Sequence, residues 1–282
     1  MNVTKEKAYA KINLTLDVLG KQSTGYHEME MIMQQIDLYD QIIIEDSEVF
    51  QMTSSSKELP LKEDNLVFKA YKQMQEISKI EKPVHIHIEK NIPIAAGLAG
   101  GSADAAATYL ALNRHWKMDL SLDELIKLGV QIGADIPFCL FGKTALAQGI
   151  GEKLTRISSF KDYSILIVNP GYGVSTPKIF QNLDLQNIKK RPNTKLALES
   201  IDSGNLELLI QSMHNVLGDV TTRIHKDLID IIDEIESNKA LKAMVSGSGP
   251  TVFGIFENED TAQIAYESMK NKYPIVIISK TI

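Results

Sequence analysis

Three stretches of this 282-residue chain combine residue types suited to phosphate and proton chemistry. The first is residues 93–106, PIAAGLAGGSADAA, where Gly97, Gly100 and Gly101 fall within five residues and run into an Ala-rich segment. A residue without a side chain lets backbone N–H groups approach an anion, and a helix start adds unpaired N–H groups and the positive end of its dipole. Pro93, Ile94, Ala95, Ala96, Gly97, Leu98, Ala99, Gly100, Gly101, Ser102 and Ala103 are therefore expected to form an anion cradle. It is not a Walker A loop, because the Gly142-Lys143-Thr144 tripeptide has Pro137 where the first Gly belongs, and a GxGxxG fingerprint is absent. Small residues also let a helix pack closely on a sheet, so the loop alone does not decide the chemistry.

The second stretch is residues 8–20, AYAKINLTLDVLG. Ala10, Ile12, Leu14, Leu16 and Val18 alternate with Lys11, Asn13, Thr15 and Asp17, which predicts a strand with one buried and one polar face. A lysine such as Lys11 holds a neighbouring carboxylate in its proton-accepting form, although a strand lysine also serves simply as a solvated group. The third is residues 245–253, VSGSGPTVF, in which Gly247, Ser248 and Gly249 offer backbone and hydroxyl donors to an anion, or form an ordinary hairpin turn. Gly25, Tyr26 and His27 read as a turn presenting an aromatic face and an imidazole. Asp135 stands before Ile136 and Pro137, where an Asp is a general base in reach of a proton or a turn and cap residue.

Those groups need a scaffold, and the composition predicts one. With 44% hydrophobic and 23% charged residues the chain is globular, and its length suits two domains, expected as 1–160 and 161–282. The formal charge of −6 is spread without a basic stripe, so nucleic acid is not an expected partner. One cysteine, Cys139, excludes an internal disulfide framework. No apolar run suits a bilayer and the start does not read as a signal peptide, so a cytoplasmic protein without membrane association is expected.

Further strands are expected at residues 42–45, 84–89, 165–168, 251–256 and 275–278. Helices are expected over 66–74, 102–116, 121–132, 206–217, 224–236 and 261–272, with a Ser121/Glu124 capping box. Residues 50–60 read as a surface loop or hairpin tip, and residues 186–194 as a mobile connection. The pattern is α+β. His85 and His87 read as a solvated strand face, with no further ligands for a metal.

Taken together and in order, AYAKINLTLDVLG, PIAAGLAGGSADAA and VSGSGPTVF resemble the GHMP kinases. TGYHEMEMIM from Thr24, DNLVFKA from Asp64, IGADIPFCLFGKTALAQGIGEKL from Ile132 and STPKIF from Ser175 resemble the branch acting on a cytidine diphosphate-linked methylerythritol in the non-mevalonate isoprenoid route. The resemblance implies a two-domain fold. Its N-terminal, ATP-binding domain is ribosomal protein S5 domain 2-like, its C-terminal domain is ferredoxin-like, and its active site is a cleft between them. It implies ATP with Mg²⁺ as cofactor, a small-molecule alcohol as acceptor, and a monomer or homodimer.

By the same resemblance Asp135 is the general base, with Lys11 beside it. Tyr26 stacks on the cytosine, His27 hydrogen-bonds it and Phe180 closes the other side. Asn13 and Thr176 contact the methylerythritol or its phosphates, Gly247, Ser248 and Gly249 the diphosphate, and Asn65 and Lys90 lie near the adenine. Many family members have two serines where this chain has Ser102 and Ala103, so no protein ligand to Mg²⁺ is expected. Two other readings stay open: another GHMP kinase, of the homoserine or mevalonate type, and an ATP-binding homologue without catalysis.

Overall fold

The computed structural model describes residues 2–23, 25–78 and 82–282, so Thr24, the first residue of the TGYHEMEMIM motif, lies outside them. The chain packs as two compact units, each drawn from discontinuous segments. Two long strands, β1 (Val3–Lys21) and β2 (His27–Asp46), pair with each other, and each runs from one unit into the other along the chain.

Unit 1 comprises the chain up to Ala10, Leu38–Ile94 and Ala99–Gly142. It holds β3 (Gln51–Ser54), α1 (Leu66–Ser78), β4 (Val84–Glu89), α2 (Gly100–His115), α3 (Leu122–Gly129) and α4 (Ile136–Phe141). β4 pairs antiparallel with β2, setting Ile42 opposite Ile88 and Ile44 opposite Ile86, and all four are fully buried. That row of branched side chains is what the period-two pattern of VHIHIE encodes. β3 adds a parallel edge strand inside the expected loop at residues 50–60. α1 buries Val67, Ala70, Tyr71 and Met74. α2 is buried at every position from Ala103 to Tyr109, which explains its run of alanines: a helix enclosed on all sides needs small side chains to admit its neighbours. The Ser121/Glu124 capping box forms in full ahead of α3.

Unit 2 comprises Lys11–Asp37, Ala95–Leu98 and Lys143–Ile282. It adds β5 (Thr144–Gly149) and β6 (Lys153–Arg156), with β5 antiparallel to β2 and β6 antiparallel to β5. Then follow β7 (Ser164–Asn169), α5 (Thr176–Gln181), α6 (Thr194–Ser203), α7 (Leu206–Ser212), α8 (Val216–Ile224), α9 (Asp227–Ser237), β8 (Lys242–Val245), β9 (Val252–Phe256), α10 (Glu259–Met269) and β10 (Ile275–Lys280). A four-stranded antiparallel sheet runs β10-β7-β9-β8. Leu166, Val168, Val252 and Phe256 from its strands share one core with Leu228, Ile231 and Ile235 of α9 and Ala262, Ala265 and Met269 of α10. The mixed α+β content agrees with the sequence.

Besides the strand found within residues 50–60, two expectations change. The single helix expected over 206–217 is two, α7 and α8, because Asn215 leaves helical geometry to cap α8 through its side chain. The polar connection at 186–194 is pinned near its end: Arg191 pairs with buried Asp17 and donates to the carbonyl of Val18, and Asn193 caps α6.

Candidate active site

The polar face of β1 is the first departure from an ordinary amphipathic strand. Lys11, Asn13, Thr15 and Asp17 are all at most 6% exposed, so none is a solvated strand group. Buried polar groups must find partners, and these do. Lys11 Nζ donates to Asn13 Oδ1 at 2.9 Å and to the carbonyl of Gly97 at 3.2 Å. Asn13 Oδ1 also accepts from the Gly247 amide at 3.1 Å, and Thr15 Oγ1 accepts from the Ile32 amide. β1 therefore ties Lys11 to both glycine-rich loops within unit 2.

Those two loops pack directly on each other. Ser246 Oγ donates to the Gly97 carbonyl at 3.0 Å, and the Thr251 amide donates to the Ala96 carbonyl at 3.3 Å. Gly97 has φ +79°, and a Cβ there would lie 2.3 Å from the Ser246 carbonyl oxygen, so both its backbone shape and its surroundings demand glycine. In the second loop the Gly247 amide is taken by Asn13 and the Gly249 amide by the Ser246 carbonyl. Among the described residues the Ser248 amide alone of the three has no internal acceptor. Beside it Ser248 Oγ and Thr176 Oγ1 share a 2.7 Å hydrogen bond, two hydroxyls brought together from residues expected to contact one substrate.

The loop is shaped from below by α8. Asn215 Nδ2 donates to the carbonyls of Val245 and Gly247, both at 2.8 Å, while its Oδ1 caps Gly218. Thr221 Oγ1 donates to the Ser248 carbonyl at 3.0 Å. Neither residue was expected from the sequence, although an Asn ahead of an apolar run is a helix-start signal.

Of the three residues expected to hold a base, the structure stacks His27 and Phe180 on each other. Bonds from the Gln22 amide to the Tyr26 carbonyl and from the Gly25 amide to the Gln22 carbonyl make the turn, with Gly25 at φ +91°. Tyr26 is 61% exposed at its end. Phe180 of α5 stacks on His27 itself, ring centroids 4.5 Å apart at 21°, leaving no gap for a base between those two rings. Burial against that ring, followed by the charge of Lys21, lowers the His27 pKa below its ordinary 6.5 and keeps the imidazole neutral at neutral pH.

In unit 1 the phosphate loop runs into α2. Ala99, at φ +57°, stands at the N-cap position with no side-chain acceptor, so the amides of Gly100, Gly101 and Ser102 remain unpaired among the described residues. In contrast, α3, α6, α7, α8 and α10 carry a Ser or Asn cap. Ser102 is half-buried and Ala103 fully buried. Asp135 precedes α4, half-buried, with no capping bond from its side chain. Asn65 uses its amide on the Pro60 carbonyl and the Val67 amide, starting α1. The Lys90 ammonium is committed to Asp40 and Asp104, neither of which the sequence singled out for this role.

The family model of the GHMP kinases N terminal domain matches residues 65–143, and that of the GHMP kinases C terminal matches 197–275. The 4-diphosphocytidyl-2-C-methyl-D-erythritol kinase of Clostridioides difficile (strain 630) is 49% identical, over 99% of this chain and 95% of that protein. The chain belongs to the 4-diphosphocytidyl-2-C-methyl-D-erythritol kinase family of the GHMP kinases. The kinase of that name from Clostridium tetani is 46% identical over 99% of this chain and all of its own length. A crystal structure of a 4-(cytidine 5'-diphospho)-2C-methyl-D-erythritol kinase superposes with a TM-score of 0.84 at 27% identity, covering 98% of each chain. Homoserine kinase from Cytophaga hutchinsonii shares the fold, with a TM-score of 0.78 at 18% identity over 100% of this chain and 95% of its own. The two-domain GHMP kinase fold expected from the three motifs is the fold of this family member.

Proposed function

We propose that the protein transfers the γ-phosphoryl group of ATP to the 2-hydroxyl of 4-diphosphocytidyl-2-C-methyl-D-erythritol, in the non-mevalonate route to isoprenoid precursors. The relatives near 49% identity along the whole chain support that substrate over homoserine or mevalonate. The observation in the fold that carries the chemistry is the uncapped start of α2. Three unpaired amides at a positive helix end, two of them from glycine, form an electrostatic cradle for phosphate oxygens.

In this reading Asp135 accepts the proton of the attacking hydroxyl, and the buried Lys11 ammonium supplies positive charge from a position fixed by Asn13 and Gly97. Phosphoryl transfer has little covalent chemistry for a protein to perform, so fixed geometry of this kind is the main catalytic contribution. The Ser248 amide and the Ser248 and Thr176 hydroxyls receive the substrate diphosphate. Tyr26, His27 and Phe180 hold the cytosine, the neutral His27 ring serving as donor on one nitrogen and acceptor on the other.

Mg²⁺ fits this donor set only as an ion carried by the phosphates. Ser102 offers one neutral hydroxyl, the Asp104 carboxyl is engaged by Lys90, and no group of three His, Cys, Asp or Glu gathers as a metal site among the described residues. When bound, the ion neutralises charge on the transferring phosphates.

The test is phosphorylation of the cytidyl substrate by purified protein, with Tyr26→Ala alongside. The reading expects transfer to that acceptor and a raised KM in the variant. Equal affinity of Tyr26→Ala for substrate would remove the cytosine clamp from the account.

A further inference from the structure

Asp40, Lys90 and Asp104 lie together inside unit 1, their side chains no more than 5% exposed. Lys90 Nζ pairs with Asp40 Oδ2 and sits 3.0 Å from Asp104 Oδ2. The other oxygen of Asp40 accepts the amides of Asn91 and Ile92, the latter at 2.8 Å. On the far side of the loop, a Cβ on Gly100 would lie 3.0 Å from Lys90 Nζ, and Asp104 belongs to the second turn of α2. The cluster thus holds residues 91 and 92, immediately before the phosphate loop, through Asp40, and residue 104, immediately after it, through Lys90, whose ammonium also lies close against Gly100 within the loop.

Such a cluster is costly, because buried charges lose their hydration and two carboxyls here share one ammonium. A proton on Asp104 balances the charge. Burial pushes the Asp104 pKa well up, Lys90 opposes this, and the nearby Asp40 carboxyl adds to it. Among the described residues Asp104 Oδ1 has no hydrogen-bond partner, as suits a neutral carboxyl better than a carboxylate.

We propose that Asp40, Lys90 and Asp104 are positioning residues that clamp both ends of the phosphate loop, Lys90 acting on ATP through the loop amides and not by touching the nucleotide. The inference rests on residues 93–103 being the ATP phosphate loop. It assigns Lys90 a different task from the adenine contact that the family resemblance implies.

Binding of ADP and of adenosine to the full-length protein separates the two roles, since only ADP uses the loop. With calorimetry as the readout, Lys90→Met is expected to weaken ADP binding ~10-fold or more, as displaced phosphate donors should, and to leave adenosine binding within ~2-fold. Asp104→Asn, which keeps the size, the neutral state and an oxygen able to accept from Lys90, is expected to recover more than half of the ADP affinity that Asp104→Ala loses. Circular dichroism melting checks that each variant folds. If Lys90→Met does not fold, Lys90→Arg and the Asp104 pair carry the test with the same ADP-selective loss expected. Equal weakening of adenosine and ADP would assign Lys90 to the adenine and overturn the proposal. So would unchanged ADP binding, or Asp104→Asn performing no better than Asp104→Ala. These binding arms need no acceptor, so they judge the cluster even if the wild-type protein fails to phosphorylate the cytidyl substrate.

Discussion

Replacing Gly97 by alanine tests the packing of the two glycine loops. Two separate penalties act at that position. The backbone at φ +79° costs an L-residue about 1–2 kcal/mol. The added Cβ would sit 2.3 Å from the Ser246 carbonyl oxygen and 3.0 Å from that of Gly249, and both neighbours are backbone that cannot rotate away. Opening the first contact even to 3.0 Å requires the loops to part by about 0.7 Å, and overpacking of this kind costs about 1–3 kcal/mol. Gly97→Ala should therefore lose about 2–5 kcal/mol in all. A misplacement approaching 1 Å in a phosphoryl-transfer site lowers kcat by ~10²-fold. Gly204→Ala is the internal control: its φ of +69° ends α6, and nothing among the described residues lies within 4 Å of the added carbon, so it should lose only about 1–2 kcal/mol and keep its activity. Urea unfolding and steady-state ADP release read both variants. If Gly97→Ala matched Gly204→Ala in midpoint and turnover, the contact between the loops would not govern the site.

Other expected outcomes follow from individual contacts. Lys11→Ala and Asp135→Ala should each lower kcat ~10²-fold or more with little change in ATP binding, and wild-type turnover in both would refute their roles. Phe180→Ala removes the ring stacked on His27 and should raise KM for the cytidyl substrate ~2–10-fold at unchanged kcat, a stack of this type contributing about 0.5–1.5 kcal/mol; an unchanged KM would exclude it from the substrate site. Because the folded pKa of His27 is lowered, the unfolded chain binds its proton first. Stability is unaffected above pH 6.5, falls as pH drops below it, and levels off below the folded pKa. Substrate KM should rise only as pH falls to and below the folded pKa, where the folded ring itself takes up a proton, and His27→Gln should flatten that limb; a limb identical to wild type would assign it to another group. Asn215→Ala strips buried carbonyls of Val245 and Gly247 of their donor and uncaps α8, for an expected loss of about 2–4 kcal/mol measurable by chemical unfolding.

The elements whose patterns are local were legible in the sequence. The alternation of VHIHIE, the capping box at Ser121 and the glycine run into α2 each follow from period or cap chemistry, and all three stand in the structure. The polar face of β1 was legible as polar but not as buried, because alternation cannot distinguish water from an enclosed network as the partner of Lys11 and Asn13. β2 was read as only four residues. Gln34, Gln35 and Asp40 interrupt its apolar pattern, and each is paid for by a long-range partner: Thr144, Lys143 and Lys90 respectively. Asn215 and Asp40 were missed for a related reason. Their work is to hold backbone or charge that lies distant in the chain, information that local composition does not carry.

The central claim is most directly tested by incubating the protein with Mg-ATP and 4-diphosphocytidyl-2-C-methyl-D-erythritol, with homoserine and mevalonate in parallel, following ADP and the phosphorylated product. The account predicts phosphorylation of the cytidyl substrate at its 2-hydroxyl and no comparable turnover of the other two. Faster transfer to homoserine or mevalonate, or ATP binding without transfer to any acceptor, would contradict it.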